Sequence, residues 1–126
     1  MTKNEFNIPI YDFKVIFVEI EGRDDVPPMR KLLKKLRCSD EIEREVVESI
    51  ENEDRDGGYT LTSLGRKIFC VVILPQSSEE QRLAVIDHEK RHIEDDLLEH
   101  CSVTCKEASA YLAGYLTRCF YRFTHH

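Results

Sequence analysis

The stretch Lys67–His100, KIFCVVILPQSSEEQRLAVIDHEKRHIEDDLLEH, decides how the rest of the chain is read. Ile68 to Leu74 is an unbroken apolar run, rich in β-branched residues and of strand length, and Pro75 closes it. Ser77 or Ser78 then offers a side-chain acceptor for a helix start. Glu79 and Glu80 follow in the first turn, where carboxylates suit the helix dipole. Leu83, Ile86, Ile93 and Leu97 recur at helical spacing, so this helix is expected to reach about Glu99.

Working upstream, Tyr59–Thr62 pairs with the Lys67–Leu74 strand as a hairpin. Ser63-Leu64-Gly65-Arg66 makes its turn, with Gly65 expected at positive φ. Gly57-Gly58 is read as a turn and nothing more. Ile42, Val46, Val47 and Ile50 predict a helix capped by Ser39. Met29, Leu32, Leu33 and Leu36 predict another, opened by Pro27-Pro28, because proline is tolerated in a first helical turn. Tyr11 to Ile20 is β-branched and aromatic and reads as the first strand. Downstream, a linker at His100–Cys105 leads to a last helix from about Lys106 to Phe123. The order strand, helix, helix, hairpin, helix, helix is an α+β pattern. A chain of 126 residues holds one domain, here 1–126, since two halves would each bury too little core.

Charge and composition narrow the function. Twenty-four acidic residues against 18 Lys and Arg give a net charge of -6, which argues against a general grip on nucleic-acid phosphates. The basic cluster Arg30, Lys31, Lys34, Lys35 and Arg37 reads as a solvated helix face. No apolar run approaches the roughly 20 residues of a membrane span. The N-terminus, MTKNEFNIPIYDF, has no apolar core of the signal-peptide kind. The five cysteines are an odd count that suits reduced thiols, so a cytoplasmic location is expected.

His88-Glu89-Lys90-Arg91-His92 carries the chemistry. At about 100° per residue, His88 and His92 differ by about 40° around the helix axis, so both imidazoles leave one face a turn apart. Such a pair can occupy two corners of a Zn²⁺ tetrahedron. Glu89 sits beside them, placed to take a proton from a metal-bound water. A third ligand is then required. If two antiparallel helices bend near residue 99 or 100, Glu107 stands at the height of His92 and is the leading candidate. Asp95, Asp96, Glu99 and His100 are its rivals. Tyr111, one turn after Glu107, is a candidate donor to a developing oxyanion, and its plainer role is packing with a polar handle.

His88-Glu89-x-x-His92 followed by Glu107-Ala108-Ser109-Ala110 resembles the zincin metallopeptidases, and within them the gluzincin branch. The strand KIFCVVILP and the SSEEQRL run into the helix resemble the small phage- and mobile-element-associated immunity-repressor proteases. The resemblance spans residues 67–118. It implies a minimal zincin-like domain, a Zn²⁺ cofactor held by His88, His92 and Glu107, Glu89 as catalytic base, and a protein or peptide substrate. Two other readings stay open. One is a catalytically silent regulatory scaffold, which the charged Lys90 and Arg91 inside the motif would suit. The other is a structural zinc held by Cys101 and Cys105.

Overall fold

Phe13–Glu19 (β2) and Ile68–Ile73 (β4), the two most apolar strands, lie side by side and parallel at the centre of one sheet. Thr2–Ile8 (β1) pairs antiparallel outside β2, and Gly58–Ser63 (β3) pairs antiparallel outside β4, so the order is β1-β2-β4-β3. The computed structural model describes residues 1–101 and 106–124. A short 3-10 turn at Arg23–Asp25 and four α-helices complete it: Val26–Lys35 (α1), Asp40–Glu51 (α2), Glu79–His100 (α3) and Lys106–Thr124 (α4).

The alternation of strand side chains sends residues to two separate cores. Phe13, Val15, Phe17, Phe69, Val71 and Ile73 face α3 and α4 and pack with Ile86, Ile93, Leu97, Leu112, Leu116 and Phe120. Ile16, Val18, Cys70 and Val72 face α1 and α2 and pack with Met29, Leu33, Val46, Val47 and Ile50. The fold is α+β, with helices covering both faces of a four-stranded mixed sheet. Each large side chain removed from water contributes about 1.5–3 kcal/mol, so the two cores are the main source of stability.

Local signals hold the helices in register. The Ser39 hydroxyl accepts the Ile42 amide at 3.2 Å, and Ser78 accepts Gln81 at 3.0 Å. Both are N-caps, each satisfying an otherwise orphan amide. Part of the basic cluster of α1 is used internally: Lys34 meets Glu43 at 3.3 Å, and Arg30 meets Glu51 at 3.8 Å. Among the described residues no helix is long and apolar enough to cross a membrane.

Two features differ from the sequence pattern. Strand β1 adds a hairpin before the expected first strand. Its only inward apolar residues are Phe6, edge-on to Phe120 and stacked on Phe123, and Ile8, so its alternation is faint. The hairpin between β3 and β4 turns through Lys67, at φ 56°, and not through Gly65. The left-handed residue falls at the end of the turn, where Lys67 donates its amide to Leu64 and its carbonyl accepts from Lys14.

Candidate metal centre

Helix α3 owes its orientation to a narrow buried stripe. Val85, Ile86, Glu89, Ile93 and Leu97 face the sheet. Its two flanks then have different neighbours. Leu83, Ile86, Asp87 and Lys90 share a cleft with Thr117, Phe120 and Tyr121 of α4. His88 and His92 lie about 160–200° round the axis from Lys90, on the flank beside β3.

The pair is set as the i, i+4 spacing requires. The two imidazole Nε2 atoms are 3.3 Å apart, with the rings nearly perpendicular. The edge of a tetrahedron about a zinc at 2.0–2.1 Å is about 3.3–3.4 Å, so the two nitrogens fit the bite of one ion. Glu89 completes the group: one carboxylate oxygen and one nitrogen from each histidine all lie within 4.8 Å of one another. Among the described residues this is the one cluster of three such groups able to hold a metal ion. The histidines are exposed, which leaves the group open to solvent.

Glu89 differs from its partners in being only 4% exposed. A buried carboxylate needs a donor, and Thr60 of β3 supplies it at 2.8 Å to Oε2. The same hydroxyl lies 3.3 Å from the Glu89 carbonyl. One strand residue pair later, Thr62 donates to Asp96 at 2.9 Å. Thr60 and Thr62 share a face of β3, as a period of two dictates. Gly58 opens that strand beneath the helix. A Cβ there would sit 3.0 Å from the Val72 carbonyl and 3.1 Å from Val85, so the glycine permits a close approach and is more than a turn residue. His88 and Glu89 open onto a cleft of about 440 Å³ lined also by Asp56, Gly57, Gly58, Gln81 and Ala84. Asp56 is itself engaged, accepting from the Ser77 amide at 2.7 Å and its hydroxyl at 3.0 Å.

The other expected site residues lie elsewhere. Glu107 is exposed in the first turn of α4 and is not in the His88–Glu89–His92 group. Equal heights along two antiparallel helices do not bring the carboxylate to the imidazoles, because α4 meets the opposite flank of α3. Tyr111 is 76% exposed. It lines a separate apolar cavity of about 420 Å³ with Ile8, Ile10, Tyr11 and Arg118. Asp95 and Glu99 are exposed on α3 and, like Asp96 and His100, are outside the group. Cys101 is exposed, and Cys105 lies outside the described residues.

Lys90, inside the motif, also finds a place. Lys90 bonds Glu94 at 2.6 Å, with both side chains only 13% accessible, on the flank that meets α4. They are an intrahelical ion pair turned away from the histidines. Sequence reasoning misses Thr60, Asp56 and Gly58. The only advance signal for Thr60 is the Thr-x-Thr alternation in a strand, which names a face and no partner.

No family model, curated protein or solved structure matches this chain.

Proposed function

We propose that the protein is a zinc-dependent hydrolase of peptide bonds, with His88 and His92 holding the ion and Glu89 acting as general base. The observation that carries this reading is the 3.3 Å spacing of the two Nε2 atoms with a buried carboxylate beside them. A zinc ion bound there would supply a water of pKa about 7 and polarise a scissile carbonyl. Glu89 takes the water's proton at Oε1, the oxygen not engaged by Thr60, and passes it to the leaving amine. β3 supports a peptide as the substrate. It is an outer strand of the sheet, Gly58–Ser63 contains no charged residue, and an extended chain can pair with such an edge.

A second reading is favoured by one observation: Glu107 is not in the group, so α4 adds no ligand to the two imidazoles. A catalytic zinc ordinarily has three protein ligands. On that reading the chain is a metal-binding regulatory scaffold that does not cut its partner.

Protein purified without a histidine tag and dialysed against zinc should hold about one ion per chain. His92→Ala should lose it. Glu89→Gln should keep the fold but lower hydrolysis by about 10²–10⁴-fold, because an amide cannot accept the proton. The substrate is sought by capture on the Glu89→Gln protein and then offered to wild type. Cleavage by wild type alone supports the hydrolase. Bound zinc with every captured partner left intact supports the scaffold. A folded wild-type protein without stoichiometric metal refutes both.

A further inference from the structure

We infer that Thr60 is a positioning residue of this metal centre, acting through Glu89; the inference rests on the metal-binding reading above. Thr60 is on β3 and Glu89 on α3, so the contact joins two elements far apart in sequence. A threonine hydroxyl has one proton to give, and its nearer acceptor is Oε2 at 2.8 Å, with the Glu89 carbonyl at 3.3 Å. A hydrogen bond to an ionised carboxylate is among the stronger kinds. The β-branched side chain restricts χ1, so the donor is held in place by its own backbone. Among the described residues no other donor reaches the Glu89 carboxylate.

The consequence is geometric. With Oε2 tied to the strand, Oε1 is left free of that bond, and the carboxylate is held in one orientation beside the imidazole pair. The carboxylate's negative charge then stands by the cation whether it meets the ion directly or through a bound water. Without the hydroxyl, Glu89 keeps its place on the helix but loses the contact that selects its orientation. Partners of this kind typically change metal affinity or activity by 10–100-fold. Thr62 makes the same type of bond to Asp96, which is outside the metal group, and so provides an internal control.

The test uses the full chain and zinc alone, with affinity read by competition against a chromophoric chelator. Thr60→Val keeps the shape and removes the hydroxyl; it should weaken zinc binding about tenfold or more. Thr60→Ser and Thr60→Ala form a second pair that differs only in the hydroxyl, should the valine variant misfold; serine should bind within about threefold of wild type and alanine should not. Thr62→Val should bind as wild type does. In a Glu89→Ala background, Thr60→Val should cause no further loss, because the carboxylate it positions is gone. A folded Thr60→Val protein that binds zinc as wild type does would overturn the inference while leaving the metal site standing. So would an equal loss in the Glu89→Ala background, which would mark a purely structural role. A wild type that binds no zinc overturns the metal-binding reading itself.

Discussion

Replacing Gly58 by alanine tests how closely β3 is pressed beneath α3. The added Cβ would lie 3.0 Å from the Val72 carbonyl oxygen, 3.1 Å from Val85 Cγ1 and 3.2 Å from Ile73 Cδ1. The two methyl groups can each give by a few tenths of an ångström. The carbonyl cannot, because Val72 is in β4, in the ladder that pairs Tyr59 with Val72 and Gly58 with Ile73. Overpacking of this kind costs about 1–3 kcal/mol. Against it stands a gain of about 0.4–1 kcal/mol from the smaller entropy of an unfolded chain with alanine. Gly58 does not need a positive φ, so no backbone strain is added. The net expectation is a loss of about 1–2 kcal/mol. For a domain of this length that is a fall in Tm of about 4–8 °C, read by circular dichroism and by urea unfolding. A neutral or more stable Gly58→Ala protein would refute the close approach, and with it the setting of β3 that brings Thr60 to Glu89.

Two further outcomes follow from contacts outside the site. Arg82 ties the end of β2 to the start of α3 through Glu19 at 2.5 and 2.9 Å and Glu79 at 3.0 Å, with Arg82 and Glu19 only 20% and 19% accessible. Arg82→Ala should cost about 2–3 kcal/mol in urea unfolding, and a cycle with Glu19→Gln should give a coupling above about 1 kcal/mol; coupling under about 0.5 kcal/mol would demote the contact to an ordinary surface pair. Burial pushes the Asp25 carboxyl up, but hydrogen bonds from the Glu21 amide, the Met1 amine and the Gly22 amide outweigh it and hold it below its ordinary value. Its stabilisation is therefore complete above about pH 4 and is lost as the pH falls through the lowered native value. Asp25→Asn should be less stable than wild type at pH 6 and should converge on it in strong acid; a constant difference between pH 6 and pH 2 would contradict the assignment.

What could be read from the sequence was what repeats at short range. The i, i+4 histidines, the caps at Ser39 and Ser78 and the apolar run of β4 each follow from neighbours a few residues apart. The helix boundaries accordingly fall within a residue or two of expectation, and the α+β class holds. β1 escapes because its contribution to the core rests on Phe6 and Ile8 alone. Glu107 illustrates a different limit. Residue counting gives the height of a side chain along a helical hairpin, but which flanks meet is decided by Phe17, Phe120 and the rest of the core, far away in sequence. Thr60 is hidden for the same reason: its partner lies across a contact between elements that no local pattern announces.

The parallel seam between β2 and β4 has a bearing on how the molecule assembles. Its partners, Lys14 with Ile68 through Glu19 with Ile73, are separated by both short helices and β3. A contact of such span must be closed against the entropy of a long loop before it rewards the chain, and topologies built on it fold slowly. The imidazole pair needs no such closure, since one turn of α3 creates it. Glu89 gains its tie to Thr60 only after β3 has docked. Two of the three groups of the centre are thus brought together by one helical turn, and the third is oriented by a contact across 29 residues, from Thr60 to Glu89, that exists only with β3 in place.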